Sequence, residues 1–152
     1  TEYAAAWGKG GMKEMSSHIV LLCHGNWGQN LYEDYVQYFG TNIPIKVFPL
    51  RKDTEAVEYY RDVDAYVNQK KDVILICDLY GSTTFQTALS IALKYGLLAY
   101  SGLSLQLLME ISCLLEQNVE RTVFTDELCR QSRIKTTDLV SEFQKFNENG
   151  EI

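Results

Sequence analysis

His24 and Asp78 are the two residues of this chain whose types and settings suggest chemistry. Each follows a short apolar run, Ile19 to Cys23 for the histidine and Val73 to Cys77 for the aspartate. Each also leads into small or polar residues, Gly25-Asn26 in one case and Gly81-Ser82-Thr83 in the other. An imidazole whose Nδ1–H donates to a carboxylate is held in one tautomer, which leaves Nε2 unprotonated as a nucleophile. A phosphoryl group taken up on Nε2 makes the ring formally cationic, and the same carboxylate then stabilises it. Phosphate oxygens need donors, and unpaired N–H groups at helix N-termini supply them. His24 and Asp78 are therefore the candidate catalytic pair. Gly25, Asn26, Gly81, Ser82 and Thr83 are the candidate phosphate-binding residues. Taken one at a time these residues are ordinary: His-Gly after a strand makes a turn, and Asp at a strand end makes a loop or cap. Their joint placement is what gives them weight.

That placement depends on the elements around them. His18 to Cys23 reads as a buried strand, and Leu31, Tyr32, Tyr35, Val36 and Phe39 recur at helical spacing before Gly40. Ile45 to Leu50 is a second strand. Asp53 or Thr54 is expected to cap a helix with the stripe Val57, Tyr60, Val63 and Val67. Val73 to Cys77 is the third strand, followed by a helix defined by Phe85, Ala88, Leu89, Ala92 and Leu93 and closed by Gly96. Leu97 to Tyr100 is a short fourth strand, and Leu105, Leu108, Ile111 and Leu115 mark the next helix. From Thr125 to Asn147 the chain reads as helical pieces with Leu139, Phe143 and Phe146 as a packing stripe. Such alternation builds an α/β fold with an open, mainly parallel sheet and helices on both faces. The flavodoxin-like strand order 2-1-3-4 is expected. In that order strands 1 and 3 are neighbours, and His24 and Asp78 meet beyond their carboxyl ends, where open parallel sheets bind ligands.

Composition is compatible with this. The 152 residues are 46% apolar and 22% charged, enough for one buried core and far from a disordered or fibrous chain. A net charge of -6 argues against nucleic acid or an anionic membrane surface as partner. No apolar run approaches the about 20 residues that cross a bilayer. Cys23, Cys77, Cys113 and Cys129 lack C-x-x-C spacing, and two of them sit inside apolar runs, as buried thiols do in a reducing cytosol. Residues 1–17 read as a leader outside the fold, an expression remnant or a disordered segment, with Met12 or Met15 as the natural start. Residues 18–147 form one domain and 148–152 a tail. His18, at the far end of its strand from His24, reads as structural.

Three stretches carry a resemblance to a known family. Leu22-Cys23-His24-Gly25-Asn26-Trp27 resembles the active-site motif of mannose-family (mannose/fructose/sorbose) phosphotransferase system enzyme IIA components. Cys77 to Phe85 is similar to their second motif, Asp-Leu-Phe-Gly-Gly-Thr-Pro-Phe, and Ser101 to Leu108 to a third, Ser-Gly-Val-Asn-Leu-Pro-Met-Leu. The resemblance runs in order from about His18 to Gln117. It implies a cytoplasmic, homodimeric phosphoryl carrier for sugar uptake, with His24 accepting phosphate from phospho-HPr and passing it to a IIB component. Asp78 is implied to hold the histidine, and Thr83 with nearby amides the phosphate, with no metal, nucleotide or other cofactor. Ser82 and Thr84 depart from the Gly and Pro of the second motif, and Ser104 and Gln106 from the Asn and Pro of the third.

Other readings make different demands. A response-regulator receiver needs an acidic pair after strand 1, where this chain has Cys23-His24. A histidine phosphatase needs Arg before His-Gly and a second catalytic histidine. A flavodoxin needs a Ser/Thr-rich phosphate loop there. A metal site could draw on Cys23, His24, Cys77 and Asp78, although consecutive Cys23 and His24 on an extended strand point to opposite faces. A regulatory phosphohistidine module of the same fold, read by a partner, would carry the same residues.

Overall fold

The structure, a computed structural model, describes residues 17–131 and 134–150. Four strands, β1 (Ser17–His24), β2 (Ile45–Leu50), β3 (Asp72–Cys77) and β4 (Leu98–Ser101), form one sheet in the order β2-β1-β3-β4, with every pair parallel. Among the described residues six helices accompany them: α1 (Trp27–Tyr38), α2 (Ala56–Asn68), α3 (Thr83–Tyr95), α4 (Leu105–Glu116), α5 (Arg121–Gln131) and α6 (Leu139–Asn149). The expected fold class and strand order are those observed.

The central strand explains the layers. Ile19 to Cys23 are all 0% exposed, so β1 is covered on both faces, as its unbroken apolar run requires. Ile19, Leu21 and Cys23 join Tyr35, Leu108, Ile111 and Phe124 in the core under α1, α4 and α5. Val20 and Leu22 join Tyr59, Val63, Val67, Ala88 and Ile91 in the core under α2 and α3. Pro49 has no N–H to give to a ladder, and it sits on β2, an outer strand.

Helix faces differ from the sequence expectation in detail. α2 is preceded by Glu55 in extended conformation, with no side-chain cap, rather than capped by Asp53 or Thr54. Thr54 N–H is instead spent on a turn to the Arg51 carbonyl. Tyr59, not Val57, faces the core, and its hydroxyl donates to the Phe48 carbonyl. On α3 the buried face is Thr84, Thr87, Ala88, Ile91 and Ala92, while Leu89 and Leu93 are exposed. On α4, Leu107 and Leu114 are buried beside Leu108 and Ile111, while Leu105 is exposed. α5 starts at Arg121 and packs through Phe124 and Leu128. The stripe Leu139, Phe143 and Phe146 on α6 is exposed rather than buried in the core. β1 takes in Ser17; the rest of the expected leader, residues 1–16, lies outside the described residues. Among the described residues no helix is long and apolar enough to cross a membrane.

Candidate active site

Register brings the two candidate residues together. Leu22 pairs with Cys77 across β1 and β3, and the Asp78 N–H extends the ladder by donating to the Leu22 carbonyl at 3.1 Å. His24 ends β1 beside Leu50 of β2, and Gly25, at φ +61°, turns the chain out of the sheet while donating to the Leu50 carbonyl. A side chain at that φ is strained, so glycine suits this corner.

The Asp78 carboxylate is the centre of the site. Its Oδ2 accepts from the His24 backbone N–H at 2.7 Å, and the His24 ring Nδ1 lies 3.0 Å from Oδ2 and 3.1 Å from Oδ1. Trp27 Nε1 donates to Oδ2 at 3.2 Å and Thr84 Oγ1 to Oδ1 at 2.8 Å. Burial pushes the carboxyl's pKa up, but donation from the His24 amide, the Thr84 hydroxyl, the His24 ring and the Trp27 indole outweighs it, and the net direction is down. An ionised carboxylate only accepts, so Nδ1 carries the proton of the neutral imidazole, and in that form Nε2 keeps its lone pair. The Asp78 side chain is 6% exposed and that of His24 is 43% exposed, so the fixed partner is covered and the ring is open to solvent. Cys23 and Cys77 flank the site as neutral thiols. Burial, and then the Asp78 charge, pushes each up to about 11.

His24 and Gly25 line an open cavity of about 680 Å³ together with Arg51, Lys52, Thr54 and Thr83. Thr83 is the first residue of α3, so that helix N-terminus faces the same space. Asn26 precedes α1 without a side-chain cap, and its Oδ1 accepts from Arg51 Nη1 at 2.8 Å. Gly81 and Ser82 line the neighbouring cleft, which Thr83 shares. The Ser82 hydroxyl donates to the Leu79 carbonyl or contacts Thr84 Oγ1, and it also receives the Phe85 N–H as the α3 cap. Of the seven candidates, His24, Gly25 and Thr83 thus border one cavity, Asp78 holds the His24 ring, Asn26 meets Arg51, and Gly81 and Ser82 border the neighbouring cleft.

Sequence reading missed Trp27, Thr84 and Arg51. Trp27 and Thr84 lie within or beside the motifs but carry no charge to mark them. Arg51 had a usable signal: β2 neighbours β1, so a cation just past its carboxyl end stands next to His24. Cys23 belongs to the core on one face of the sheet and Cys77 to the core on the other. Among the described residues no three His, Cys, Asp or Glu side chains are grouped to hold a metal.

Residues 18–123 match the family model described as the PTS system fructose IIA component, of the mannose IIA type. The chain belongs to that family. It is a IIA component of a sugar phosphotransferase system. Among solved structures, the IIA component from Streptococcus agalactiae is 18% identical, with a TM-score of 0.72, covering 82% of this chain and 98% of its own. The IIA protein associated with the fucose utilization operon of Streptococcus pneumoniae is 17% identical, with a TM-score of 0.68, covering 84% of this chain and 96% of its own. A sigma-54 interaction domain protein from Enterococcus faecalis is 13% identical, with a TM-score of 0.64, covering 76% and 90%. No curated protein matches the sequence. The IIA assignment agrees with the fold and with the resemblance of the three motifs.

Proposed function

We propose that this IIA component carries a phosphoryl group on His24 Nε2, taking it from phospho-HPr and passing it to a IIB component for sugar uptake. The observation that carries this reading is the His24–Asp78 pair, with Nδ1 bound to a covered carboxylate and the ring open to solvent. As the donor's bond to phosphorus breaks, the donor keeps the electron pair and the Nε2 lone pair forms the new bond. The ring then carries formal positive charge, which Asp78 stabilises. Arg51, Lys52 and the N-terminus of α3, with the amide of Thr83, offer positive potential to the phosphoryl oxygens. Onward transfer is the same step reversed, toward the IIB acceptor. The scheme uses no metal or nucleotide.

A homodimer, implied by the resemblance, agrees with the uncovered apolar side chains of α6 and of Leu89 and Leu93 on α3. The sigma-54 interaction domain relative favours a second reading, in which the phosphorylation state of His24 is read by a regulatory partner.

Incubation with phosphoenolpyruvate, enzyme I and HPr, followed by intact mass, tests the proposal. The parent should gain one acid-labile phosphoryl group and His24→Ala none, while His18→Ala behaves as the parent. Transfer should survive EDTA added once HPr is phosphorylated. An adduct on His24→Ala would place the site elsewhere.

A further inference from the structure

Thr84 is 0% exposed, lies in the first turn of α3, and spends its hydroxyl on Asp78 Oδ1 at 2.8 Å. Behind it, Ser82 Oγ lies 2.8 Å from Thr84 Oγ1 and 2.7 Å from the Leu79 carbonyl. Proton bookkeeping orders these contacts. An ionised Asp78 cannot donate, so the one Thr84 proton goes to Oδ1. In the Ser82–Thr84 contact the donor must then be Ser82, whose single proton is shared between Thr84 and Leu79. The result is a directed chain of donors, Ser82 to Thr84 to Asp78, which meets the His24 ring's own donation at the same carboxylate.

These two hydroxyls stand where the second motif of the resemblance has Gly and Pro, neither of which has a side-chain donor. The two departures are therefore a coupled pair. Asp78 Oδ2 is already engaged by the His24 amide, the His24 ring and Trp27. Among the described residues, Oδ1 has only Thr84 apart from the His24 ring at 3.1 Å. The hydroxyl thus draws charge from the oxygen that is otherwise free to tighten on Nδ1–H.

We propose that Thr84, backed by Ser82, is a positioning residue that limits how strongly Asp78 holds the His24 ring, and so eases release of the phosphoryl group. Its transfer part rests on the function proposed above; its geometric part does not. Thr84→Val removes the donor and nearly keeps the volume. The titration of Asp78, followed by carboxyl-carbon NMR of the unphosphorylated protein, should move up by about half a pH unit, roughly threefold in its proton equilibrium. Retention of phosphate against return to HPr should rise by a similar factor. Thr84→Ser should restore both, and Ser82→Gly should shift both the same way by less.

An unmoved or lowered Asp78 titration in Thr84→Val, or a shift that Thr84→Ser fails to restore, overturns the proposal. Ser82→Gly removes no fully buried group and carries the test if Thr84→Val does not fold. The absence of any upward shift there is equally fatal. If the parent takes up no phosphoryl group at all, the proposed function fails, and the titration still decides the role of Thr84.

Discussion

His24 is joined to Asp78 twice, through its backbone N–H at 2.7 Å from Oδ2 and through its ring Nδ1 at 3.0 Å from the same oxygen. One carboxylate oxygen thus holds both the strand end and the ring it carries. The chain position of His24 and the orientation of its imidazole are set by a single group on the neighbouring strand. Trp27 adds a third donor to that oxygen from the first turn of α1, and Thr84 of α3 donates to the other oxygen, so three elements converge on Asp78.

Asp78→Asn keeps the size of the side chain and removes its charge. A charge-assisted hydrogen bond is worth roughly 1.5–3 kcal/mol, or about 10- to 150-fold in a rate or equilibrium constant. The variant should still be phosphorylated at His24, but more slowly by a factor in that range, and should return phosphate to HPr more readily. Rapid quench measures the transfer. Nitrogen NMR of His24 should show the ring leaving its Nδ1–H tautomer. Unchanged transfer with an unchanged tautomer would refute a role for the carboxylate.

The same carboxylate makes stability depend on acid. Its pKa is lowered in the folded protein, so the folded state binds that proton less well than the unfolded chain does. Its contribution is complete above the ordinary value of 3.8 and is lost as the pH falls through the depressed one. Urea denaturation of parent and Asp78→Asn should therefore differ most near neutrality, and the gap should narrow below pH 3.8. Asp64 and Asp138, also lowered, appear in both curves and cancel in the difference. A gap of constant size across the series would show that Asp78 is not linked to folding.

Gly28→Ala should destabilise the protein by about 1–3 kcal/mol, the usual cost of overpacking a core. A Cβ there would stand 2.1 Å from Cys23 Sγ and 2.9 Å from Cys23 Cβ, because α1 crosses β1 at this point. Adding Cys23→Ala removes the nearer clash and keeps the farther one, so the double variant should recover part of the loss. Denaturant midpoints decide the matter. Full additivity of the two changes would mean that the helix shifts instead.

The pattern of apolar runs was enough to read the four strands, their parallel order and the meeting of His24 with Asp78. A strand buried on both faces has to be apolar throughout, and Ile19 to Cys23 and Val73 to Cys77 satisfy that condition in any surroundings. The faces of the helices were less legible. Val57 and Tyr59 on α2, like Ile91 and Leu93 on α3, lie two residues apart and so on opposite faces of their helix, and the sheet's geometry selects which apolar face is covered. Leu139, Phe143 and Phe146 keep helical spacing and yet are exposed. Periodicity records that a face is apolar; it does not record what covers it.

At the site, the sequence by itself determined which residues could do the chemistry, since only a histidine and an aspartate at adjacent strand ends supply a nucleophile and its charged support. Tertiary structure alone decided what surrounds them. Trp27, Arg51 and Thr84 reach the site because α1, the end of β2 and α3 all start or stop at the carboxyl edge of one sheet. Those contacts to Asp78 are hydrogen bonds of about 3 Å, from Trp27 on another element and from Thr84 across the turn that opens α3. Their existence depends on where backbones lie to a fraction of an ångström, and residue type and spacing along one strand or helix carry no trace of that.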